Sequence, residues 1–571
     1  MTKTPYTSAE DSRERKIYEE FGSKAEAYIA QILSGFTAAD YKDIKVIHDP
    51  VWGTMKFYPW ELQVLDSPLL QRLRNINQLG LAVLTYPSAH HSRFEHTLGV
   101  IALVTRMTDS INDNYGHGIG SDQRIISFAD MYKLRLAALL HDVGHSFFSH
   151  LSERMYGDTA EFKALRDAFE IFSHAQPHEI MGYMIINTPS FKSFFKSSVC
   201  YPDGPETEAE VDAFFDTVGR MIVGVPVKET VTVNGREYTK NYLTEMINGQ
   251  FDADSLDYLR RDSYITGLSL TYHIDRFLYK IKIMDRVETI DGEERAGRHL
   301  TIPISGVSTV EEMIFGKQML TRYIYQHQKV LAADALVYDI VNGLKENGKL
   351  HHPCDYLYYS DDDIYKIYDE SGDEDLKVPA YYMPIHSDSQ KKISDVVKQI
   401  KTRELPKKAL VINLSKIVSA NGRKEPTLDE AYSALKSAML GGGFRTEVRD
   451  EARRICTEVG DDPEKIDLFD IYYSVPKPIT TKNYTDVYVT TNDGSFVDLC
   501  EVANLNDWSG EFSGRSWNAY VFCSPKLLPI IGVAAKRVLE RKGIVFSEKI
   551  AFADLKHQGK IAELIEKIGT K

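Results

Sequence analysis

The stretch "LRLAALLHDVGHSFFSH", Leu134 to His150, decides how the rest of the chain is interpreted. Its first half is apolar and predicts a buried helix. Its second half places His141, Asp142, His145 and His150 within ten positions. Imidazole and carboxylate side chains together suit a borderline divalent metal such as iron, manganese, zinc or nickel. The stretch therefore predicts a candidate metal site at the end of a core helix.

The remaining ligands of such a site have to come from other parts of the chain, because neighbours on a helix point about 100° apart. His96 begins one apolar helix and Asp254 begins another, and these are the best candidates. A His-His-Asp-Asp set leaves one or two coordination positions for water, as hydrolytic metals need. The competing interpretation is a satisfied polar pair at a helix end. Seven histidines between His90 and His150 favour the metal.

Composition excludes several classes of protein. The chain has 571 residues, 43% of them apolar, which predicts a globular protein of two to four domains rather than a disordered one. A net charge of −14 argues against a dedicated nucleic-acid binder and against a surface that docks on anionic lipid. We therefore expect neither nucleic acid nor membrane as a partner.

The cysteines and the N-terminal residues indicate the compartment. Five dispersed cysteines without a CxxC pair argue against disulfides and zinc ribbons and fit a reducing cytoplasm. The first residues, "MTKTPYTSAEDSRERK", have no apolar segment of a secretory signal, and no run of eighteen apolar residues predicts a membrane span. We expect a cytoplasmic protein.

Periodicity predicts three consecutive segments: a helical extension over 1–40, a mainly helical core over 41–345 and a smaller α/β lobe over 346–571. Asp66 as a capping carboxylate, with the proline of the first turn close behind, predicts the start of a helix that continues to Leu79. The run from Val310 to Leu344 predicts one long helix. Asn234-Gly235 and Asp291-Gly292 predict two hairpins.

Several motifs together resemble those of HD-domain deoxynucleoside triphosphate triphosphohydrolases. They include "HHSRFEH", "LLHDVGHSFFSH", "DADSLDYLRRD" and "YQHQK", with the flanks "DPVWG" and "LDSPLLQRLRNINQLG". Vertebrate members with a sterile-alpha-motif domain, which is not expected here, and bacterial dGTPases both carry such motifs. The resemblance is strong from about Lys45 to about Leu344 and weak in the C-terminal lobe.

The resemblance implies a mainly α fold, with an HD-domain helical core, small β-hairpin insertions and a smaller mixed α/β C-terminal lobe. The implied reaction is attack of activated water on the α-phosphorus of a dNTP, which releases deoxynucleoside and intact inorganic triphosphate. The implied cofactors are a divalent transition metal (Fe, Mn, Zn or Ni) at the HD site and Mg bound with the substrate triphosphate.

The resemblance also implies roles for individual residues. The metal ligands would be His96, His141, Asp142 and Asp254. The catalytic group would be His145, His150 and His178, with Glu153 where vertebrate members have an aspartate that orients a histidine. Substrate binding would involve Gln78 and Leu79 at the sugar, Arg93 and Lys317 at phosphate, Tyr258 and Asp262 at phosphate and the 3′-hydroxyl, and Tyr325 at the deoxyribose. Ser255 and Lys317 replace a lysine and an arginine of the vertebrate members, so affinity and base preference are expected to differ.

Members of this family form nucleotide-gated oligomers, and part of the sequence resembles their activator site. The matching residues are Lys45, Val46, Asp66, Gln71 and Arg74, with His48 in place of an asparagine. We therefore expect an activating nucleotide and a homo-oligomer, a tetramer or hexamer. The competing interpretation is a helix cap at Asp66 and a solvated helix face at Arg74.

Two other functions remain as alternatives. One is an HD-superfamily phosphodiesterase acting on a cyclic nucleotide, (p)ppGpp or single-stranded nucleic acid. The other is a non-catalytic nucleotide sensor or scaffold. A dNTPase could serve dNTP pool control or anti-phage defence, and the sequence does not separate these roles. The acidic run "SDDDIYKIYDESGDED" (360–375) is interpreted as solvated surface rather than a second metal site.

Overall fold

The structure is a computed structural model of the 571-residue chain. It describes residues 12–569 except 117–123, 203, 271, 291–292, 347, 367–387, 415–416, 419–425, 479–486, 504, 506–513, 515 and 547–557. The chain divides into two compact units. The first comprises 1–317, 348–366 and 483–503, and the second comprises 318–347, 367–482 and 504–571. The predicted division at 40 and 345 stays a prediction.

The first unit is mainly helical. Its helices are α1 (Ser12–Ile32), α2 (Pro59–Leu65), α3 (Pro68–Gln71), α4 (Arg93–Gly116), α5 (Phe128–Leu140), α6 (His150–Gly157), α7 (Ala160–Ala168), α8 (Pro177–Ile186), α9 (Pro189–Ser198), α10 (Glu208–Ile222), α11 (Asn241–Glu245), α12 (Ala253–Thr266), α13 (Ile274–Lys280), α14 (Val307–Leu320), whose last residues fall in the second unit, α16 (Asp361–Lys366) and α20 (Leu499–Val502). Helix α4 packs against α5 and α12, and α10 packs against α5 and α8.

Within its described residues, the first unit also contains two small sheets. Strands β1 (Lys45–Asp49) and β2 (Gly53–Phe57) form an antiparallel hairpin. A six-stranded sheet has the order β11-β10-β6-β4-β3, with β5 on β6. Its strands are β3 (Thr230–Val233), β4 (Arg236–Thr239), β5 (Lys282–Ile290), β6 (Glu293–Pro303), β10 (Tyr488–Thr490) and β11 (Phe496–Asp498).

The second unit is an α/β structure. Its helices are α15 (Gln328–Glu346), α17 (Asp388–Lys401), α18 (Leu428–Leu440), α19 (Phe444–Val459), α21 (Leu528–Arg541) and α22 (Gln558–Gly569). A sheet of order β7-β12-β9 (Lys407–Asn413, Asn518–Cys523, Ile471–Ser474) packs against α19 and α21. Strands β8 (Ile417–Val418) and β13 (Val545–Phe546) form a second pair.

Local sequence explains the helices that carry the site. The hydroxyl of Ser127 accepts the amide N–H of Asp130 and caps α5. The carboxylate of Asp252 accepts the N–H of Ser255 and caps α12, and Gly267 ends that helix in the left-handed conformation with φ 71°. Leu134 and Leu136–Leu140 are buried, so the C-terminal half of α5 lies in the core, and His141 and Asp142 follow directly after its last residue.

The predicted fold class is confirmed: the described chain is mainly α with small β elements and a smaller α/β unit. The Asn234-Gly235 hairpin is confirmed by β3 and β4. Strands β5 and β6 pair as predicted, and the turn residues Asp291 and Gly292 lie outside the described residues. Within the described residues, every helix is too short or too polar for a membrane span.

Three local predictions are wrong. The N-cap residue of α3 is Ser67, whereas the carboxylate of Asp66 accepts a hydrogen bond from the hydroxyl of Tyr41. Helix α3 ends at Gln71 and continues as a 3-10 turn only to Asn75, because the chain turns there to form the backbone bridge between Asn77 and Ser92. The predicted helix over 310–344 is interrupted by a π-helical turn at Thr321–Tyr325.

The acidic run also departs from the prediction. Asp361 is 4% exposed and packs in the first unit, so this residue is not solvated surface. The later part of the run, from residue 367, lies outside the described residues.

Candidate active site

Three buried side chains from two helices form the centre of the candidate site. His96 lies in the first turn of α4, and His141 and Asp142 directly follow α5. One ligand atom from each of these three residues lies within 4.8 Å of the others. The Nε2 atoms of the two histidines are 3.3 Å apart. Asp254 joins them from α12, with its Oδ1 2.9 Å from Nε2 of His96.

The second nitrogen of each imidazole is already hydrogen-bonded. Nδ1 of His96 lies 2.7 Å from Oδ2 of Asp257, and Nδ1 of His141 lies 2.7 Å from the carbonyl oxygen of Ala138. These acceptors favour protonated Nδ1 atoms, so Nε2 is the atom of each ring that would bind a metal, and at His96 this requires release of the Nε2 proton. The donor set of two imidazoles and carboxylates therefore fits a divalent transition metal.

Electrostatics also favour a cation at this centre. Burial lowers the pKa of His96, but hydrogen bonds to Asp254 and Asp257 overcome this effect and raise it to about 10. Burial raises the pKa of Asp142, but the charges of Arg93 and His141 bring it far below its ordinary value. The carboxylates are thus ionised and hold positive charge near Nε2 of His96.

A glycine permits the contact between α4 and α12. A Cβ atom at Gly99 would lie 1.8 Å from Oδ1 of Asp257 and 2.5 Å from Nη2 of Arg261. Arg261 holds the carboxylate of Asp257 through Nε at 2.8 Å and binds Asp49 through Nη1 at 2.8 Å. The absence of a side chain at Gly99 therefore lets Asp257 reach His96.

Arg93 connects the metal ligands to the following turn. Its Nη1 donates to Oδ2 of Asp142 at 2.8 Å, and its Nε donates to the hydroxyl of Ser149 at 2.9 Å. Nη2 of Arg93 is buried and has no hydrogen-bond partner among the described residues. An unpaired buried guanidinium N–H is costly, so this atom is available for an anionic ligand.

A second cluster consists of three histidines and one carboxylate. The carboxylate of Glu153 binds Nδ1 of His150 at 2.6 Å and Nδ1 of His178 at 2.8 Å. The ring of His145 stacks on that of His178, with centroids 3.9 Å apart. Nε2 of His145 is 3.4 Å from Oδ1 of Asp142, yet neither ring nitrogen of His145 makes a hydrogen bond with a described residue. His145 therefore joins this cluster to the metal ligands.

The members of this cluster differ in charge. Burial lowers the pKa of His178, but the charge of Glu153 prevails and raises it to about 9. Burial and the nearby charge of Arg93 lower the pKa of His145 well below its ordinary value, which leaves it neutral. The side chain of His150 is 64% exposed, so it lies where solvent enters.

A strained turn sets the position of His150. Phe148 and Ser149 both have positive φ, 51° and 54°, which is rare for residues with side chains. Close packing fixes the start of this turn, because a Cβ atom at Gly144 would lie 2.0 Å from the carbonyl oxygen of His178. The chain can thus bring His145 onto the ring of His178.

The predicted substrate-binding residues lie around these clusters. The backbone N–H of Gln78 donates to the carbonyl of His91, and its side-chain Oε1 is buried without a partner in the described residues. Leu79 follows and is half-buried. Nζ of Lys317 lies 5.9 Å from the ring centroid of Tyr258. Their proposed roles stay predictions.

Asp262 and Tyr325 differ from the other predicted substrate-binding residues in their surroundings. Asp262 is buried and its Oδ1 lies 2.8 Å from Nε2 of His91, so its carboxylate already has a protein partner. Tyr325 belongs to the second unit, at the end of the π-helical turn. Its contact with a sugar stays a prediction.

The predicted activator residues lie close together on the surface. Nζ of Lys45 lies 4.0 Å from the ring centroid of Tyr41, whose hydroxyl donates to Asp66. Nε2 of Gln71 donates to the carbonyl of Leu65, and Nε of Arg74 donates to Oε1 of Gln71. The remaining member of the set, Val46, is 58% exposed. The guanidinium of Arg74 also covers the ring of Phe94 at 3.6 Å.

Sequence analysis missed four residues that shape the site. They are Tyr41, His91, Asp257 and Asp361. A signal existed for Asp257, because it follows Asp254 by three residues and therefore lies on the same face of α12. The other three are separated from their partners by 25 to 284 residues, so even the motif that contains His91 and the acidic run that contains Asp361 gave no indication of what they bind.

The geometry agrees with a known domain. Residues 93–193 match the family model of the HD domain. These residues form an HD domain. Its boundaries contain His96, His141, Asp142 and the second histidine cluster, whereas Asp254 and Asp257 lie beyond them.

Curated relatives match a longer part of the chain than the HD domain alone. Deoxynucleoside triphosphate triphosphohydrolase SAMHD1 of Mus musculus is 27% identical over 310 residues, covering 52% of this chain and 43% of that protein. SAMHD1 of Homo sapiens is 28% identical over 305 residues, with 52% and 44% covered. The uncharacterized protein YwfO of Bacillus subtilis is 27% identical over 305 residues, with 53% and 56% covered. The chain spans about half the length of the curated relatives it matches.

A solved structure shows a similar fold. A hypothetical protein from Aquifex aeolicus aligns with a TM-score of 0.52 and 19% identity, covering 86% of this chain and all of that one. At this identity the likeness concerns the fold alone.

Proposed function

We propose that the protein hydrolyses deoxynucleoside triphosphates to deoxynucleoside and inorganic triphosphate in a metal-dependent reaction. The observation that supports it most is the combination of the His96–His141–Asp142 cluster with buried donors on Arg93 and His145 that have no hydrogen-bond partner among the described residues. A phosphate needs both a metal and N–H donors around its oxygens. This arrangement places candidate ligands for a metal and N–H donors for the phosphate within one contact of Asp142.

The metal would be held by His96, His141, Asp142 and Asp254. When bound, such a divalent ion supplies a Lewis acid for the phosphate and lowers the pKa of a water molecule. Asp257 and Ala138 keep the two imidazoles oriented, because each accepts the Nδ1 proton.

The second cluster, formed by His145, His150, His178 and Glu153, binds the phosphate and supplies a proton. Protonated His178 holds positive charge beside the phosphate, and neutral His145 offers one N–H to a phosphate oxygen. His150 is the exposed member and donates a proton to the departing 5′-oxygen, while Glu153 holds its Nδ1 atom. Arg93 orients Asp142 and binds a phosphate oxygen through Nη2.

The relatives support a deoxynucleotide as substrate, because several vertebrate proteins named deoxynucleoside triphosphate triphosphohydrolase match about half of this chain. We further propose that Gln78 and Leu79 form the sugar pocket, with Tyr258, Asp262 and Lys317 at the phosphates and 3′-hydroxyl. Tyr325 belongs to the second unit, and its contact with the deoxyribose stays a prediction. The proposal includes Mg bound with the substrate triphosphate and a homo-oligomer. It also includes an activating nucleotide bound at Lys45, Val46, Asp66, Gln71 and Arg74. The biological role would be dNTP pool control or anti-phage defence.

One experiment tests the proposal directly. Each dNTP is offered as substrate against each NTP or dNTP as activator, with Mn²⁺ and Mg²⁺ present, and the products are identified by ion-exchange chromatography. We expect inorganic triphosphate and deoxynucleoside in equal amounts. Release of pyrophosphate or a monophosphate would contradict the proposal.

A matched variant links the product to the site. His141→Ala combined with Asp142→Ala should abolish both metal retention and turnover while the helical circular-dichroism signal is kept. Turnover that survives this change would exclude the metal mechanism.

A further inference from the structure

A buried carboxylate far along the chain reaches the candidate site. Asp361 is the first residue of α16, and its side chain is nearly inaccessible to solvent. Its neighbour Asp362 is exposed, as expected for an acidic run. Burial raises the pKa of Asp361 to about 6, so at neutral pH it is an ionised carboxylate held by donors. Buried charges of this kind need a structural reason.

Three N–H groups surround this carboxylate. Oδ2 accepts the backbone N–H of Asn77 at 2.9 Å and its side-chain Nδ2 at 2.8 Å. Oδ1 accepts the backbone N–H of Phe148 at 2.6 Å. Asp361 therefore connects two segments that lie 71 residues apart in the chain, each of which belongs to the site.

Each connected segment carries residues with a proposed role. Asn77 directly precedes Gln78 and Leu79 of the sugar pocket. Phe148 begins the strained turn, two residues before His150. A direct bond also joins the segments, because the hydroxyl of Ser149 donates to the carbonyl of Asn77 at 2.6 Å.

The segment around Asp361 makes further contacts with this turn. The hydroxyl of Ser146 donates to the carbonyl of Tyr356. The ring of Phe147 stacks with that of Tyr356 at 5.6 Å, and the ring of Phe148 packs against Tyr365 at 5.5 Å. All of these contacts come from residues 353–366.

We propose that Asp361 is a positioning residue that holds the turn preceding His150 and the loop carrying Gln78 and Leu79 in one fixed relation. The inference rests on the proposed function for its kinetic part. Two consecutive residues with positive φ persist only when their surroundings over-determine them. The hydrogen bond from Phe148 to Asp361 supplies that constraint at the first of the two residues.

The diagnostic substitution is Asp361→Asn. An amide offers one acceptor oxygen and one NH₂ donor, so in either orientation an N–H of Asn77 or Phe148 faces another donor. The matched control is Asp362→Asn, which makes the same change at the exposed neighbour. Asn77→Ala removes a single donor and provides a milder second variant.

The first readout does not require activity. Hydrogen–deuterium exchange by mass spectrometry on the full-length protein should show exchange about tenfold faster in segments 75–80 and 145–152 for Asp361→Asn. The control should match the wild type, and metal content should be retained because Asp361 contacts none of the proposed ligands. Unchanged exchange in both segments would overturn the inference. Faster exchange throughout the first unit would also overturn it, since Asp361 would then be a general stability residue.

The second readout is kinetic. Asp361→Asn should misplace His150 and the loop that carries Gln78 and Leu79. We therefore expect kcat to fall about 10–100-fold and KM for the dNTP to rise. A loss of folded protein alone would lower apparent kcat and leave KM unchanged, which would contradict the positioning role. In a double-mutant cycle the losses of Asp361→Asn and Asn77→Ala should be non-additive, and additive losses would count against it. If the wild type fails to hydrolyse dNTPs but local exchange still increases, the proposed function fails and the positioning role stands.

Discussion

Nδ1 of His96 lies 2.7 Å from Oδ2 of Asp257, and Asp257 is one helical turn beyond Asp254 on α12. A single helix therefore presents one candidate metal ligand and also the acceptor that orients another. Gly99 makes this possible, because any side chain there would collide with Asp257.

The substitution Asp257→Asn should weaken metal binding about 10–100-fold, because the amide no longer accepts the Nδ1 proton as a charged group. Titration of metal-free protein with Mn²⁺, followed by calorimetry, measures the affinity. Asp275→Asn is the control, since that carboxylate is 85% exposed. Equal affinity in both variants would show that Asp257 does not act on the metal ligand.

The pH dependence of turnover should report His178. Its pKa is raised to about 9, so the folded state favours the protonated imidazolium. The stabilisation of the fold by this proton is complete below the ordinary pKa of 6.5 and is lost as pH rises through about 9. In the proposed mechanism only the protonated ring places positive charge beside the phosphate. We expect kcat to fall above pH 9.

The substitution Glu153→Gln should move this fall toward lower pH, because burial then acts on His178 without the opposing carboxylate. Rate profiles between pH 6 and 10 measure the shift, with the exposed Glu170→Gln as control. An alkaline limb that stays in place in Glu153→Gln would assign it to another group.

The substitution Gly144→Ala should destabilise the protein by about 1–3 kcal/mol and reduce turnover, because its Cβ atom collides with backbone that cannot move alone. Urea unfolding measures the stability. Gly316→Ala is the control: a Cβ there meets no atom of the described residues within 4 Å, so the helix propensity of alanine should stabilise α14 by up to ~1 kcal/mol. A stable, fully active Gly144→Ala variant would contradict the close packing of His145 onto α8.

The activator proposal predicts a separable phenotype. Asp66→Ala and Arg74→Ala should each raise the nucleotide concentration for half-maximal activation about tenfold, with little change in the rate at saturation, because neither residue contacts the metal ligands. Tyr41→Phe, which frees the carboxylate of Asp66, should have a smaller effect, and Lys42→Ala serves as the surface control. Equal activation curves for all four variants would show that Asp66 and Arg74 do not bind an activating nucleotide.

The sequence by itself determined the elements with a local cause. The apolar periodicity of α5 and the Asn234-Gly235 turn each express short-range physics, so both were predictable. The concentration of histidines near His141, together with motif resemblance, also singled out residues that the structure brings together: His96, His141, Asp142 and Asp254. Their chemical roles stay predictions.

Only the tertiary structure decided which carboxylates are buried and what they bind. Asp66 looked like a helix cap but is bound by Tyr41, and Asp361 stood in an acidic run that resembled solvated surface but accepts hydrogen bonds from Asn77 and Phe148. Both outcomes depend on partners many residues away. Burial and pairing of a charge are properties of the packed chain, because the cost of desolvation is offset only when distant donors converge on it.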